Sequence, residues 1–482
     1  VIGLEIHAEL KTRTKMFCGS LNDPNEIRPN TNICPVCMGH PGTLPVINRI
    51  ALEHVLRVGL ALSGEVAPFT QFERKNYFYP DLPKGYQISQ YARPLVQNGA
   101  LEFSDSTGHV KRIRIQRVHL EEDTGRSIHD PLSKTTLVDF NRAGIPLMEL
   151  VTAPDLGDAA DARLAAQDLQ HIFQYVGASE ANMEKGEMRI EANVSIRPNG
   201  TDALGTKVEL KNINSFRFME DAITYEIGRQ AELLEHGKKV VQETRGWDAE
   251  HGVTVSQRLK EESQDYRYFP EPDLPPLSIT PETIEELKRS LPELPREKLK
   301  RFRDEFKIDA KLASILVRNR DLAAFFEAAV SELRQWLTTT GAQADDPRPI
   351  QLAANYLTTD VLSRLNGAPI RGRLDPENFA ELKSYLAAGK VSSRAGKDVL
   401  AEMITHGADP SAVIEERGLW QVSDDPALGA ALDAVLAENK KAADDYRAGN
   451  AGALQFLVGQ VMKRLRGASP TAVRKLLEER LR

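Results

Sequence analysis

Val1 to Leu10 reads Val-Ile-Gly-Leu-Glu-Ile-His-Ala-Glu-Leu, and its alternation is that of a β-strand. Ile2, Leu4, Ile6, Ala8 and Leu10 fall on one face, while Gly3, Glu5, His7 and Glu9 fall on the other. The first face is core. The second is a row of two carboxylates and an imidazole, the donors that a hard divalent cation such as Mg²⁺ or Mn²⁺ accepts. An amphipathic strand with a wetted outer face has the same pattern, so what separates the two is whether later strands repeat it.

They do. Lys111 to His119 alternates and runs into Glu121-Glu122-Asp123, and Gly144 to Val151 places Glu149 inside an otherwise apolar segment. A lone carboxylate there is expensive without a partner, and a metal ion would be one. The strand Met188–Arg197 turns Arg189, Glu191, Asn193, Ser195 and Arg197 outward, and its neighbour Thr206–Ile213 carries Lys207, Glu209 and Lys211 at alternate positions. Cations and carboxylates in alternation suit a polyphosphate and its metal. Ladders of surface salt bridges look the same from sequence. No G-x-x-x-x-G-K-[ST], no helix-opening G-x-G-x-x-G and no G-x-S-x-G occurs, so ATP, if used, must be held on strands.

Cys18, Cys34 and Cys37 are the only cysteines. Cys34-Pro-Val-Cys37 with a third thiol upstream has the spacing of a zinc knuckle, with His40 or water as fourth ligand, and equally that of free thiols. An odd, clustered set makes no disulfide framework and points to a reducing, cytoplasmic compartment. Because the chain starts at Val1, a removed transit peptide and an organellar home stay open.

The elements that must position these residues follow from periodicity. A chain of 482 residues, 41% hydrophobic and 27% charged, is an ordinary globular protein of roughly three domains with no bilayer-spanning run. Asn48–Leu62, Ala159–Tyr175 and Ser215–His236 have helical periods. Phe72 to Tyr91 is dense in aromatics, and Pro80, Pro83 and Gly85 predict an ordered loop without a regular element. Prolines from 270 to 281 mark a domain exit, with Thr280-Pro281 as N-cap and first helical residue. Everything beyond is helical in pattern and poor in convergent acids, with breaks at Thr338–Pro349 and at Gly407-Ala-Asp-Pro410. The expected division is 1–280, 281–406 and 407–482. The net charge of −7 argues against indiscriminate nucleic-acid binding, yet the last stretch carries Lys463, Arg464, Arg466, Arg474 and Lys475 on a basic helical tail. Such a tail is a phosphate-contacting arm or a solvated helix face.

Six segments in order, Val1–His7, Arg74–Asp81, Tyr86–Gln90, His119–Asp123, Gly205–Asn212 and Asp265–Asp273, resemble the B-subunit family of the aspartyl/glutamyl-tRNA(Asn/Gln) amidotransferases. Gly449–Lys463 looks like that family's tail, so the likeness covers essentially the whole chain. It implies an α+β fold: an antiparallel-sheet cradle related to glutamine synthetase and the guanido kinases, an all-α domain, and a tRNA-binding helical tail. It also implies an ATP-dependent, glutamine-hydrolysing ligase. In this chemistry the side-chain carboxylate of Glu or Asp mischarged on tRNA(Gln) or tRNA(Asn) is phosphorylated, and ammonia then displaces phosphate. The residue pattern fits, because a carboxylate must become an acyl phosphate before an amine can displace anything from it. Carried over by position, Glu5, His7, Glu121 or Glu122, Glu149 and Glu191 would hold Mg²⁺. Arg189, Lys207 and Lys211 would clamp phosphates, and Glu209 would join the metal shell.

The resemblance further implies two partner chains, an amidase-type protein (A) that makes the ammonia and a small protein (C) bound across both. A tunnel would end near Lys75, Tyr77 and Lys84. Zinc-bearing members show Cys-x-Cys before Cys-x-x-Cys, and here Ser20 takes the second place of the first pair. Two rival readings share parts of this pattern. A zinc deaminase would need H-x-E then P-C-x-x-C, and although His7-Ala-Glu9 occurs, the proline lies between the cysteines. A non-catalytic tRNA adapter would carry the same charges only as salt bridges, without convergence around one ion.

Overall fold

The computed structural model describes every residue except 131–132, 260–264, 340–345, 422–425, 466–467, 469 and 482. Among the described residues no helix is long and apolar enough to cross a membrane. The chain divides into two compact units, Val1–Arg296 and Glu297–Arg482.

In the first unit the strands and helices run in the order β1 (Ile2–Glu9), α1 (Arg49–Ala61), β2 (Glu65–Val66), β3 (Phe69–Thr70), β4 (Glu73–Asn76), β5 (Tyr86–Ser89), β6 (Val96–Ser104) and β7 (Val110–Glu122). They continue through β8 (Arg126–Asp130), β9 (Thr135–Asp139), β10 (Pro146–Thr152), α2 (Ala159–Tyr175), β11 (Met188–Val194), β12 (Val208–Ile213), α3 (Phe216–Glu235), β13 (Glu243–Asp248) and β14 (Val253–Leu259). Nine of the strands form one sheet in the order β14-β13-β12-β11-β1-β10-β7-β6-β2, which puts the N-terminal strand at its centre. The alternation of β1 fixes its pleat. Ile2, Leu4, Ile6 and Ala8 are fully buried and join α1, α2 and α3 in one apolar cluster through Val55, Ala162, Leu169 and Met219.

Each covering helix begins on a side-chain cap: Asn48 accepts from the Ile50 and Ala51 amides, Asp158 from Asp161, and Ser215 from Phe218. Such caps satisfy amides that have no partner within the helix. With three helices on one face, the opposite face is left to the polar side chains.

Two expectations need correction. The sheet is mixed, because β12 and β13 pair in parallel while the other neighbours are antiparallel. A long connection, α3, joins those two strands, and a crossover of that length permits parallel pairing where a hairpin cannot. The segment 72–91 is not wholly irregular either. Pro80 and Pro83 sit in the turn between β4 and β5, and those strands pair from Glu73↔Ser89 to Asn76↔Tyr86. The prolines forbid the strand only where they stand.

The second unit is helical. Gly407 adopts φ +65° to end the helix Ser393–His406, and Asp409 caps the helix that Pro410 opens. The tail packs its own small core from Leu428, Leu432, Val435, Leu454, Leu457, Val461, Val473 and Leu477.

Candidate active site on the sheet face

Cross-strand register assembles the site. His7 on β1 stands opposite Glu149 on β10 and Arg189 on β11, and Glu149 stands opposite His119 on β7. One turn of the pleat away, Glu5 faces Glu191, and Asn193 faces Glu209 on β12. Because side chains alternate and neighbouring strands lie about 4.8 Å apart, these groups share one face and meet.

They meet as two clusters. In the first, ligand atoms of His7, Glu121 and Glu149 all lie within 4.8 Å of one another. His7 Nε2 is 3.7 Å from Glu121 Oε1 and 3.3 Å from Glu149 Oε2. Arg117 donates to Glu149 Oε1 at 3.2 Å, and Ser89 donates to Glu121 Oε2 at 2.9 Å. Burial opposes the imidazolium of His7, but Glu149 and Glu121 outweigh it and hold its pKa above the ordinary value. Burial equally opposes the Glu149 carboxylate, yet His119, His7 and Arg117 keep it well below the usual range. In the second cluster, Glu5, Glu191 and Glu209 offer three carboxylates at the same spacing. Lys211 donates to Glu191 Oε1 at 2.9 Å and lies 3.8 Å from Glu209 Oε1, Asn193 donates to Glu5 Oε1 at 2.8 Å, and Thr244 donates to Glu209 Oε2 at 2.7 Å.

These donor sets fit hard divalent cations: one imidazole with two carboxylates, and an all-oxygen trio. The buried Asn193 Oδ1, which has no hydrogen-bond partner, adds a fourth oxygen beside the second trio.

The structure separates the paired alternatives of the sequence. Glu121 is in the first cluster. Glu122 is not: it accepts from Lys84 at 2.5 and 2.7 Å and from the Ile88 amide at 3.0 Å. That pair lines a cavity of about 100 Å³ together with Cys18, Cys37, His40 and Tyr86. Lys75 lies 5.0 Å over the Tyr266 ring and 5.8 Å over Tyr77, and Tyr266 leads edge-on to Tyr268, which stacks on Tyr91 at 4.8 Å. Burial, then Glu121 and Glu149, push the Tyr268 hydroxyl above its ordinary pKa, so this wall borders the first cluster. Arg189 does not stand unpaired. It donates to Asp123 at 2.7 Å, Arg142 approaches the same carboxylate at 3.5 Å, and burial with Asp123 raises Glu9 to about 8. Lys207 is exposed just ahead of β12.

The sulfurs of Cys18, Cys34 and Cys37 converge within 4.8 Å, a geometry that fits three ligands of a tetrahedral soft-metal site. Ser20 Oγ is 4.0 Å from Cys37 Sγ, and buried Lys15 is 3.7 Å from it. The hydrogen bond with Cys18 and the Lys15 charge, against burial, bring the Cys37 thiol down to about 4. In the tail, Lys463 and Lys475 are exposed. Arg464 pairs with Glu438 at 2.7 Å and Arg474 with Glu478 at 3.1 Å. Arg466 lies outside the described residues.

Four groups of this face were not singled out from sequence as site residues: His119, Arg117, Asp123 and Tyr268. The first two sit on the same pleat as Glu121, two and four residues before it, so the alternation of β7 carried the signal.

A mixed sheet bearing two carboxylate-rich clusters, flanked by lysine and arginine, defines an α+β protein built to gather cations and anions on strands. Residues 1–285 match the model of the GatB/GatE catalytic domain, and residues 335–481 match that of the GatB domain. The aspartyl/glutamyl-tRNA(Asn/Gln) amidotransferase B subunit of Persephonella marina is 47% identical across 100% of this chain and 99% of its own length. The protein of the same description from Carboxydothermus hydrogenoformans is 45% identical across 100% of this chain and 98% of its own. The chain belongs to the family of aspartyl/glutamyl-tRNA(Asn/Gln) amidotransferase B subunits.

Proposed function

We propose that this chain is the transamidating component of a tRNA-dependent amidotransferase. It transfers the γ-phosphoryl group of ATP to the side-chain carboxylate of Glu or Asp mischarged on tRNA, and ammonia then displaces phosphate to leave the amide. The convergence of His7, Glu121 and Glu149 beside Glu5, Glu191 and Glu209 supports this reading, because a tRNA adapter has no need of two cation-sized clusters on one sheet face. Mg²⁺ held by those six residues would neutralise the phosphates and the charge that develops during transfer. Lys211 and Arg189 contribute fixed positive charge beside them. Tyr77, Tyr266 and Tyr268 form an aromatic wall that would help shield the acyl phosphate from water.

Ammonia enters past Lys84 and Glu122, whose cavity is the end of a passage from the amidase-type partner A, with the small partner C completing a heterotrimer. Functionally the parts are a catalytic cradle of the glutamine synthetase and guanido kinase type at 1–280, a helical domain at 281–406, and a tRNA-contacting tail at 407–482. The three thiols hold a structural zinc.

The test is acyl phosphate formation. The chain with its A and C partners, without glutamine, is given γ-labelled ATP and mischarged tRNA. Label on the aminoacyl end or released as phosphate, dependent on Mg²⁺ and on the mischarged tRNA, is the expected result. Bound tRNA with no turnover would favour the adapter and move the chemistry to a partner.

A further inference from the structure

His119 closes the row Arg189–His7–Glu149–His119, yet the converging donors of the first cluster are His7, Glu121 and Glu149. Its side chain is 4% exposed. Nε2 lies 3.7 Å from Glu121 Oε2 and 3.5 Å from Glu149 Oε2, and Nδ1 is buried without a hydrogen-bond partner. What each ring nitrogen of His119 faces decides where its proton belongs. On Nδ1 it would be a buried, unpaired donor, and the Nε2 lone pair would face two carboxylates. On Nε2 the N–H lies within 3.5 and 3.7 Å of two carboxylate oxygens and only an acceptor is left bare, which is the cheaper arrangement.

We propose that His119, protonated on Nε2, is a positioning residue that spans Glu121 and Glu149 and holds both carboxylates at the spacing at which, with His7, they take a divalent cation. This rests on the cation reading of the first cluster. On Glu121 the oxygens are divided for it, Oε2 toward Ser89 and His119 and Oε1 toward His7. On Glu149, Oε1 accepts from Arg117 and Oε2 faces both His7 and His119, so His119 fixes where that shared oxygen stands. Without an N–H between them the two carboxylates repel and part. A proton on Nε2 also keeps His119 from being a ligand itself, leaving His7 as the one imidazole donor. Groups in this outer position characteristically set metal affinity and not the chemical step.

The experiment measures Mn²⁺ binding to the full chain by the loss of the free-ion electron paramagnetic resonance signal, in the wild type, His119→Ala, His119→Asn, His119→Gln and His7→Ala. A glutamine amide reaches the place of Nε2, and an asparagine amide that of Nδ1. His119→Ala and His119→Asn are expected to weaken Mn²⁺ binding by about 10–100-fold, with His119→Gln within about threefold of wild type. The Mg²⁺ concentration for half-maximal amide formation should rise in the same order, while kcat at saturating Mg²⁺ recovers. Unchanged Mn²⁺ affinity in His119→Ala overturns the proposal, as does retention by Asn with loss by Gln, or lost kcat at intact affinity. If His119→Ala fails to fold, the Gln and Asn pair decides. A wild type that binds no Mn²⁺, or a His7→Ala variant that binds it equally, removes the cation site itself and the proposal with it.

Discussion

In Val1–Arg296 the carboxylates that gather sit on strands and meet across them, whereas in Glu297–Arg482 the charges sit on helices and pair along or between them. Glu121 and Glu149 are 3% and 9% exposed and face His7, which lies more than a hundred residues earlier in the chain. Arg474 reaches Glu478 one turn along its own helix, with both side chains exposed or half-exposed. The difference is geometric. A pleated strand stacks every second side chain on one face, and neighbouring strands repeat that face close by, so several strands can build a ligand set. A helix turns each residue away from the last, so along one helix a charge finds only its third or fourth neighbour, and contacts between helices, such as Arg464 with Glu438, join charges without stacking a ligand set. Lys383 in the helical unit departs from this. Fully buried, it lies 3.3 Å over the Tyr356 ring, and its ammonium nitrogen has no hydrogen bond.

The largest effect should come from the convergent face. His7→Ala or Glu149→Gln should lower amide formation by about 10³-fold, the scale of removing a fixed electrostatic partner of the reacting groups. Affinity for tRNA, read by filter binding, should stay within a few-fold. Equal loss of both would make the face structural and erase the contrast between the units.

Lys383 sharpens the contrast from the other side. Burial depresses its pKa well below the ordinary 10.5. The native state therefore binds fewer protons than the unfolded one, and stability rises with pH from the depressed value up to 10.5, then levels. Lys383→Met should flatten that slope and stabilise the helical unit near neutral pH by about 1–3 kcal/mol, the cost of an unpaired buried polar group. Parallel pH profiles of the two melting curves would refute it.

A smaller change is expected in the tail. Deleting residues 449–482 would strip Leu428, Leu432 and Val435 of their core partners, so charge removal is the cleaner test. Lys463→Gln with Lys475→Gln should weaken tRNA binding and reduce the slope of log K against log salt by about 0.7–0.9 for each phosphate that no longer meets a cation. An unchanged slope would mean a solvated face. The smallest effect belongs to the exposed pair: Glu478→Gln should alter stability by no more than about 0.5 kcal/mol. A larger shift in the thermal midpoint would contradict the view that this exposed i,i+4 pair carries little stability.

Much of this could be read from residue order. β1, α1, α2, β11 and α3 fall where their periods place them, because their burial patterns are regular and their caps lie beside them. Glu5, His7, Glu149, Glu191 and Glu209 could be named because each interrupts or alternates with an apolar strand. His119 and Arg117 lay on the same pleat but looked like the ordinary wet face of a strand. The parallel β12–β13 pair and the small strands around Pro80 and Pro83 had no signal in periodicity, since pairing direction depends on how the chain returns and short strands are set by their neighbours.

The sequence alone determined which face of each strand is polar and which residue types stand on it, because alternation is local and follows from the pleat. Only the tertiary structure decided which strands stand side by side. It put Glu121 with His7 and sent Glu122 to Lys84, split the acids into two clusters, and gave Arg189 to Asp123. Those choices rest on sheet order and register between segments far apart in the chain, and no local pattern records them.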